Sequence, residues 1–538
     1  QQPFNATIFK DKKQQQMALK TIISPSSLNK FVDFPWTEVI VGSIPVEGIL
    51  SINGSDKPTT LQLSSSMQGI ALNLPEPVGK PSEQSRPLDM MLYFEPNFSR
   101  LKGSLGDLLL ADFYFQNNQL HKGLISYDRS LVSPQDGQFL VAAYLPTTEL
   151  EIWTPLLDLV QGSQQNKAGN WDAVFDLKFD HLAVATLDMQ AITAKVRALE
   201  AGLNVQFTSD LADGQITLPW EEQQALTIDL VKLQLPEKVL EQSSSYSAID
   251  PRQFIELDIS VDQLLIGDKS LGSLSFQLRP EPSGAVFNNF SGNLLGMELG
   301  IFESEAPAEF FWGHDGESHF SKIVGPVGIV NIDDLLSGLG VPRVLDSQSG
   351  KLDLDLFWSA KPWAISKENV NGNFRVRLSD GSFYRSSGGT EATLKVISLF
   401  NFANWTRRLQ LDFSDVVGKN LSYNSFDGLL GFNNGIINLK EPLKIQMPSG
   451  KMSMAGEFNL LDETVDAQLV ATLPVGVNLP WLVGIVGGLP AAAGVFITSK
   501  LLQKQVDRLS SISYTLNGPW NDIEVSVNEI FADQLPQQ

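Results

Sequence analysis

The chain has 538 residues, with 39 Lys plus Arg against 61 Asp plus Glu and a formal net charge of −22, which excludes nucleic acid and a polybasic membrane patch as main partners. Apolar residues make up 43% and charged ones 19%, too apolar for a disordered tail and enough for roughly three or four domains or one repeat array. No cysteine is present, which removes thiol catalysis, disulfides and cysteine-ligated metal centres.

Residues 1–20 begin with Gln1 and hold no long apolar run, so a mature form or a fragment is expected. Strand-like alternation then recurs along the chain. It is seen in Phe175–Asp180, Ile255–Asp262, Leu274–Leu278, Leu352–Leu356, Phe374–Leu378, Leu443–Met447 and Ile523–Val527. A period of two gives each strand one apolar and one wet face. Asn53-Gly54, Asp136-Gly137, Asp213-Gly214, Asp380-Gly381, Asp427-Gly428, Asn434-Gly435 and Asn517-Gly518 read as tight turns between strands. Helical pattern is confined to about 149–160, 331–339 and 391–409, with Leu501–Leu509 amphipathic near the end. Pro480 to Thr498 is uncharged and near membrane-span length. Pro490 and four glycines divide it, so a helical hairpin is expected there rather than a straight span.

The fold class that follows is mainly β: an elongated, repeating antiparallel meander with a few short helices and a C-terminal apolar helical hairpin. Residues 1–465 are expected to form continuous repeats, and 466–538 the apolar helical segment with closing strands. Regular alternation of helix and strand is lacking, which argues against a nucleotide-binding α/β sheet. Pattern alone leaves a row of β-sandwiches as the commoner arrangement.

Catalytic signatures do not emerge. His314 and His319, with Asp315 and Glu317 between them, read as a polar turn rather than a metal loop, since no further ligand cluster lies near in sequence. Asp333-Asp334 sits where a helix start welcomes negative charge. Neither a nucleophile elbow, a phosphate-binding loop nor a zinc-protease motif occurs. The expectation is no enzyme, no metal and no cofactor.

Several segments carry a resemblance. Gly69-Ile70-Ala71-Leu72-Asn73-Leu74-Pro75-Glu76-Pro77-Val78-Gly79-Lys80 followed by Arg86-Pro87-Leu88, Gly381-Ser382-Phe383, Thr393 to Phe402, Leu411 to Asp415, Tyr423 to Leu460 and Ser513 to Trp520 resemble, in this order, the C-terminal part of the YhdP family of AsmA-like bacterial proteins. The resemblance implies a periplasmic protein of a Gram-negative bacterium, anchored in the inner membrane by a helix missing from this chain. Its strands would curl into a U-shaped groove carrying phospholipid acyl chains toward the outer membrane and supporting its barrier. The groove would be lined by Phe175, Leu177, Phe179, Ile255, Leu257, Ile259, Val261, Leu274, Phe276, Leu278, Leu352, Leu354, Leu356, Phe374, Val376, Leu443 and Ile445. Trp481, Leu482, Val483, Ile485, Val486, Val495, Phe496 and Ile497 would contact a membrane at the C-terminal end. A structural or adhesive β-repeat protein of the envelope is the alternative.

Overall fold

The computed structural model describes residues 5–530, apart from 12–13, 31–35, 54–56, 118, 130–131, 154–171, 185–186, 222–223, 237–248, 301–305, 339–344, 384–420, 449, 474–509 and 521–522. Residues 1–234 and 235–538 form two compact units.

The first unit carries β1 (Asn5–Asp11), β2 (Gln14–Ile23), β3 (Ile40–Val41), β4 (Ile44–Asn53), β5 (Thr59–Ser65), β6 (Ala71–Leu72), β7 (Leu88–Phe94) and β8 (Phe98–Leu105). It continues with β9 (Leu109–Gln116), β10 (Gln119–Tyr127), β11 (Gln138–Glu149), β12 (Asp172–Val184), β13 (Leu187–Ala198), β14 (Gly202–Thr208), β15 (Ala212–Pro219) and, up to the boundary, β16 (Leu226–Leu235). Apart from the small β3–β6 pair, each strand bonds to the next in chain order.

The expected antiparallel meander has two exceptions, because β11 runs parallel to both β10 and β12. Parallel strands are stable when both faces are covered. The side of these strands away from the main apolar face is indeed buried, through Leu124, Leu140, Ala142 and Val174. Ser126 Oγ donates to the carbonyl of Arg129 at 2.8 Å, and Arg129 reaches the Asp176 carboxylate at 2.8 Å, which ties the connecting segment down.

The second unit holds β17 (Leu257–Ile266), β18 (Lys269–Glu281), β19 (Gly284–Leu294), β20 (Met297–Leu299), β21 (Glu309–His314), β22 (His319–Ile329) and β23 (Leu345–Trp358). Beyond these come β24 (Asn371–Phe383), β25 (Leu421–Asn433), β26 (Ile436–Met447), β27 (Gly450–Asn459), β28 (Thr464–Leu473), β29 (Ser510–Pro519) and β30 (Glu524–Ile530). Their pairings are antiparallel, with β20 and β21 both bridging β19 to β22. The expected boundary at 465/466 falls inside β28.

Only some of the anticipated turns are turns. Asn434-Gly435 joins β25 to β26 with φ of 44° and 88°, the left-handed values a tight hairpin needs. Asp213-Gly214, Asp380-Gly381, Asp427-Gly428 and Asn517-Gly518 instead lie inside strands. At 213–214 and 427–429 the register slips, and Asp380, at φ 51°, is skipped by the ladder. The same φ freedom that suits a hairpin also suits a bulge.

The helix expected at 331–339 is observed over Ile332–Gly338; Asn331 Oδ1 accepts from the Asp333 and Asp334 amides. Near 149–160 a 3-10 turn spans Leu150–Trp153, and the rest lies outside the described residues. The expected helix at 391–409, Leu501–Leu509 and the apolar hairpin also lie outside them. Among the described residues no helix is long and apolar enough to cross a membrane.

Candidate functional site

Directly opposed residues in a ladder share a face, so register converts period two in each strand into rows across the sheet. In the second unit one row runs Leu257, Leu278, Phe287, Phe310, Ile323, Leu356, Gly372, Phe432, Ile437, Phe458, Val465. A second joins Leu354, Phe374, Leu430 and Leu439, and a third joins Val327, Leu352 and Val376. Ile259 opposes Phe276, and Val261 opposes Leu274. Phe276 touches Phe287 and Phe290, Phe287 touches Phe310, and Phe310 touches Trp358, with centroids 5.6–6.0 Å apart.

This face changes character along the unit. Leu257, Ile259, Leu274, Phe276, Phe310, Leu354, Leu356, Phe374 and Val376 are only half-buried. Toward β26–β29 it is fully covered: Leu443, Met454, Leu469 and Tyr514 form one buried row, and Leu469 is 0% exposed. Burial without a hydrogen-bond partner among the described residues pushes the Tyr514 phenol up to about 12.

The first unit repeats the device. One row runs Leu19, Gly48, Leu63, Met90, Gly103, Ala111, Ile125, Val141, Phe175, Val196, Val205, Ile216, Ile228. Leu177 and Phe179 share that face with Ala143, Leu145 and Ile192. At Gly123 the space a Cβ would fill is taken by the rings of Phe113 and Phe139, stacked with centroids 6.0 Å apart.

One margin of this face is covered by the loop that follows β5. Met67, Ile70 and Leu72 pack with Ile44 and Val46. The loop folds around Lys80, 4% exposed, whose ammonium donates to the carbonyls of Ile70, Pro81 (3.1 Å) and Gln84 (2.8 Å). Desolvation, with the Arg86 charge adding to it, holds Lys80 below the ordinary lysine value. Arg86 itself donates to the Val78 and Gly79 carbonyls at 2.7 and 3.0 Å. The segment that carried the first resemblance is therefore a self-bonded cap, not a reaction centre.

The opposite face is wet and paired. Arg375 spans Asp427 (2.9 Å) and Glu441 (2.6 Å), and Arg377 bonds Asp353. Arg100 forks onto Asp112 and lies 4.6 Å from the Tyr114 ring. His314 and His319 face each other across the β21–β22 hairpin, and no group of potential metal ligands is assembled among the described residues.

The structure thus gathers the anticipated residues Phe175, Leu177, Phe179, Leu257, Ile259, Val261, Leu274, Phe276, Leu278, Leu352, Leu354, Leu356, Phe374, Val376, Leu443 and Ile445 onto apolar faces. Ile255 is a correction. It precedes β17 and is 60% exposed, because the chain turns over Pro251–Gln253 before the strand begins. Trp481, Leu482, Val483, Ile485, Val486, Val495, Phe496 and Ile497 lie outside the described residues. Sequence reasoning missed Phe287, Phe310, Ile323, Leu430 and Phe458. Doublets such as Phe310-Phe311 and Leu429-Leu430 break visible alternation, and only the register shows which member faces inward.

Long β ladders with one row-built apolar face and one charged face define a class: an all-β scaffold of two-faced ladders. Within that class the family described as YhdP protein matches residues 1–525, and the chain belongs to it. It is also similar to the intermembrane phospholipid transporter YhdP of Escherichia coli (strain K12), 19% identical over 531 residues. That alignment takes in 94% of this chain but 40% of the relative, so the chain spans about two fifths of the relative's length. The relative's name is that of a transporter, not of an enzyme. No solved structure matches the chain.

Proposed function

We propose that this chain carries phospholipid between membranes, the apolar face of each unit curled into an open trough that holds the acyl chains while the headgroup stays wet. The observation that carries the reading is the row structure: aligned leucine, isoleucine and phenylalanine across successive strands, left half-exposed over β17–β24. Unoccupied, such a strip costs free energy. Occupied, it returns about 0.8 kcal/mol per methylene removed from water. A passage of this kind needs no reacting group, and membership in a family with a named intermembrane phospholipid transporter supports it.

The protein would stand in the periplasm of a Gram-negative cell, held to the inner membrane by a segment ahead of this one. Its outer-membrane end would be reached through Trp481, Leu482, Val483, Ile485, Val486, Val495, Phe496 and Ile497. Supply of phospholipid would support the outer-membrane barrier.

A photoreactive side chain placed in the full-length protein at Leu257, Phe276 or Phe374 should yield phospholipid adducts in cells. The same probe at Asp258, Gln277 or Arg375, one residue away on the charged face, should not. Equal labelling of both sets, or none at the apolar set, overturns the reading and leaves a structural β-repeat protein.

A further inference from the structure

At one margin of the second unit the apolar face ends on a buried indole. Trp312, 4% exposed, shares its face of β21 with Phe310 and lies opposite Ala285 of β19 and Ser321 of β22. Phe254, just after the Pro251–Gln253 turn, meets its ring edge-on at 5.6 Å. Trp363, in the Pro362–Ala364 turn beyond β23, meets it at 5.3 Å. Two turns outside the ladder therefore rest on one side chain.

That side chain is held by a histidine. Trp312 Nε1–H donates to Nδ1 of His319 at 3.2 Å. The His314 ring stands 4.3 Å from that of His319 and accepts the Gly316 amide on its own Nδ1 at 3.1 Å. His319 thus uses a bare Nδ1, which only the neutral ring has.

We propose that the His319–Trp312 hydrogen bond is a proton-operated latch, closed while His319 is neutral and released when it is protonated. A proton taken from solvent onto Nδ1 turns the acceptor into a donor pointed at another donor. The groups facing His319 are His314 and Asp315 at the hairpin end, Asp250 with its partner Arg252 from the turn ahead of β17, and Lys361 beyond β23. Burial first, then His314 and Lys361, hold His319 below the ordinary histidine value, while Asp250 and Asp315 act the other way. The closed arrangement prefers the neutral ring, so it is intact above the ordinary histidine range and is lost as pH falls below it. Release frees Trp312, and with it the support under Phe254 and Trp363.

Because the chain has no cysteine, a single introduced thiol reports the opening without lipid, so this test stands apart from the transport reading. Ala285→Cys places a thiol opposite Trp312 at a position that is 0% exposed, and Ser283→Cys supplies an exposed reference. The ratio of their maleimide labelling rates should rise at least about fivefold between roughly pH 7.5 and 5.5. With His319→Gln, whose amide oxygen accepts the indole at any pH, the ratio should stay within about twofold. If Ala285→Cys does not fold, pH-dependent tryptophan emission, corrected by the Trp312→Phe chain, gives the same reading. A flat response in the chain with His319, or an equal rise in the His319→Gln chain, overturns the latch.

Discussion

Two buried polar side chains show how single residues are used here. Tyr514 sits in an apolar row with no hydrogen-bond partner among the described residues, and burial pushes its phenol up to about 12. A raised phenol means that the unfolded chain ionises first. The folded state is therefore favoured below the ordinary tyrosine value, near pH 10, and loses that advantage as pH climbs toward 12. Urea unfolding of Tyr514→Phe should show a shallower alkaline loss than the native chain, with neutral-pH stability kept. An identical alkaline slope would mean that the phenol is solvated. Lys80 is the opposite case, a buried cation satisfied by three carbonyls. Removing it as Lys80→Ala strands those oxygens and should cost about 1–3 kcal/mol in the first unit, read as earlier proteolysis of the loop. Gly79 is equally constrained, since a Cβ there would stand 1.8 Å from the Leu74 carbonyl oxygen.

At the level of the strand, the two faces predict opposite tolerances. Leu469→Ala in β28 opens space at a site with no exposure and should lower stability by about 2–5 kcal/mol. Gln468→Ala, on the other face of the same strand, should leave the urea midpoint close to native. Comparable losses from the pair would remove the basis for assigning faces. The pairs β10–β11 and β11–β12 depart from the hairpin rule, since both are parallel. With its other side buried by Leu124, Leu140 and Val174, this part of the first unit is a two-sided layer.

For the molecule as a whole, the proposed capture of acyl chains by apolar rows makes a statement about salt. Phospholipid retained by the chain should change by less than about twofold as ionic strength rises from roughly 0.05 to 0.5 M, because burial of methylenes is not screened. A steep fall would shift the weight to headgroup charges. On the wet face Arg375 and Arg377 are each bonded by carboxylates. Much of this was legible beforehand: alternation in Leu257–Val261 or Leu352–Leu356 assigns a strand and its two faces, and the absence of cysteine and of reaction motifs narrows the chemistry. Period two, however, is a property of one strand. Which strand lies beside it, whether the pair is parallel, and whether Asp-Gly makes a hairpin or a bulge depend on hydrogen bonds between segments distant in sequence. The sequence alone therefore determined a chain of half-wet strands with a place in its family. Only the tertiary structure decided that Leu257, Phe287, Phe310 and Leu356 stand in one row, because register, set by pairing across strands, aligns apolar side chains that no local pattern connects.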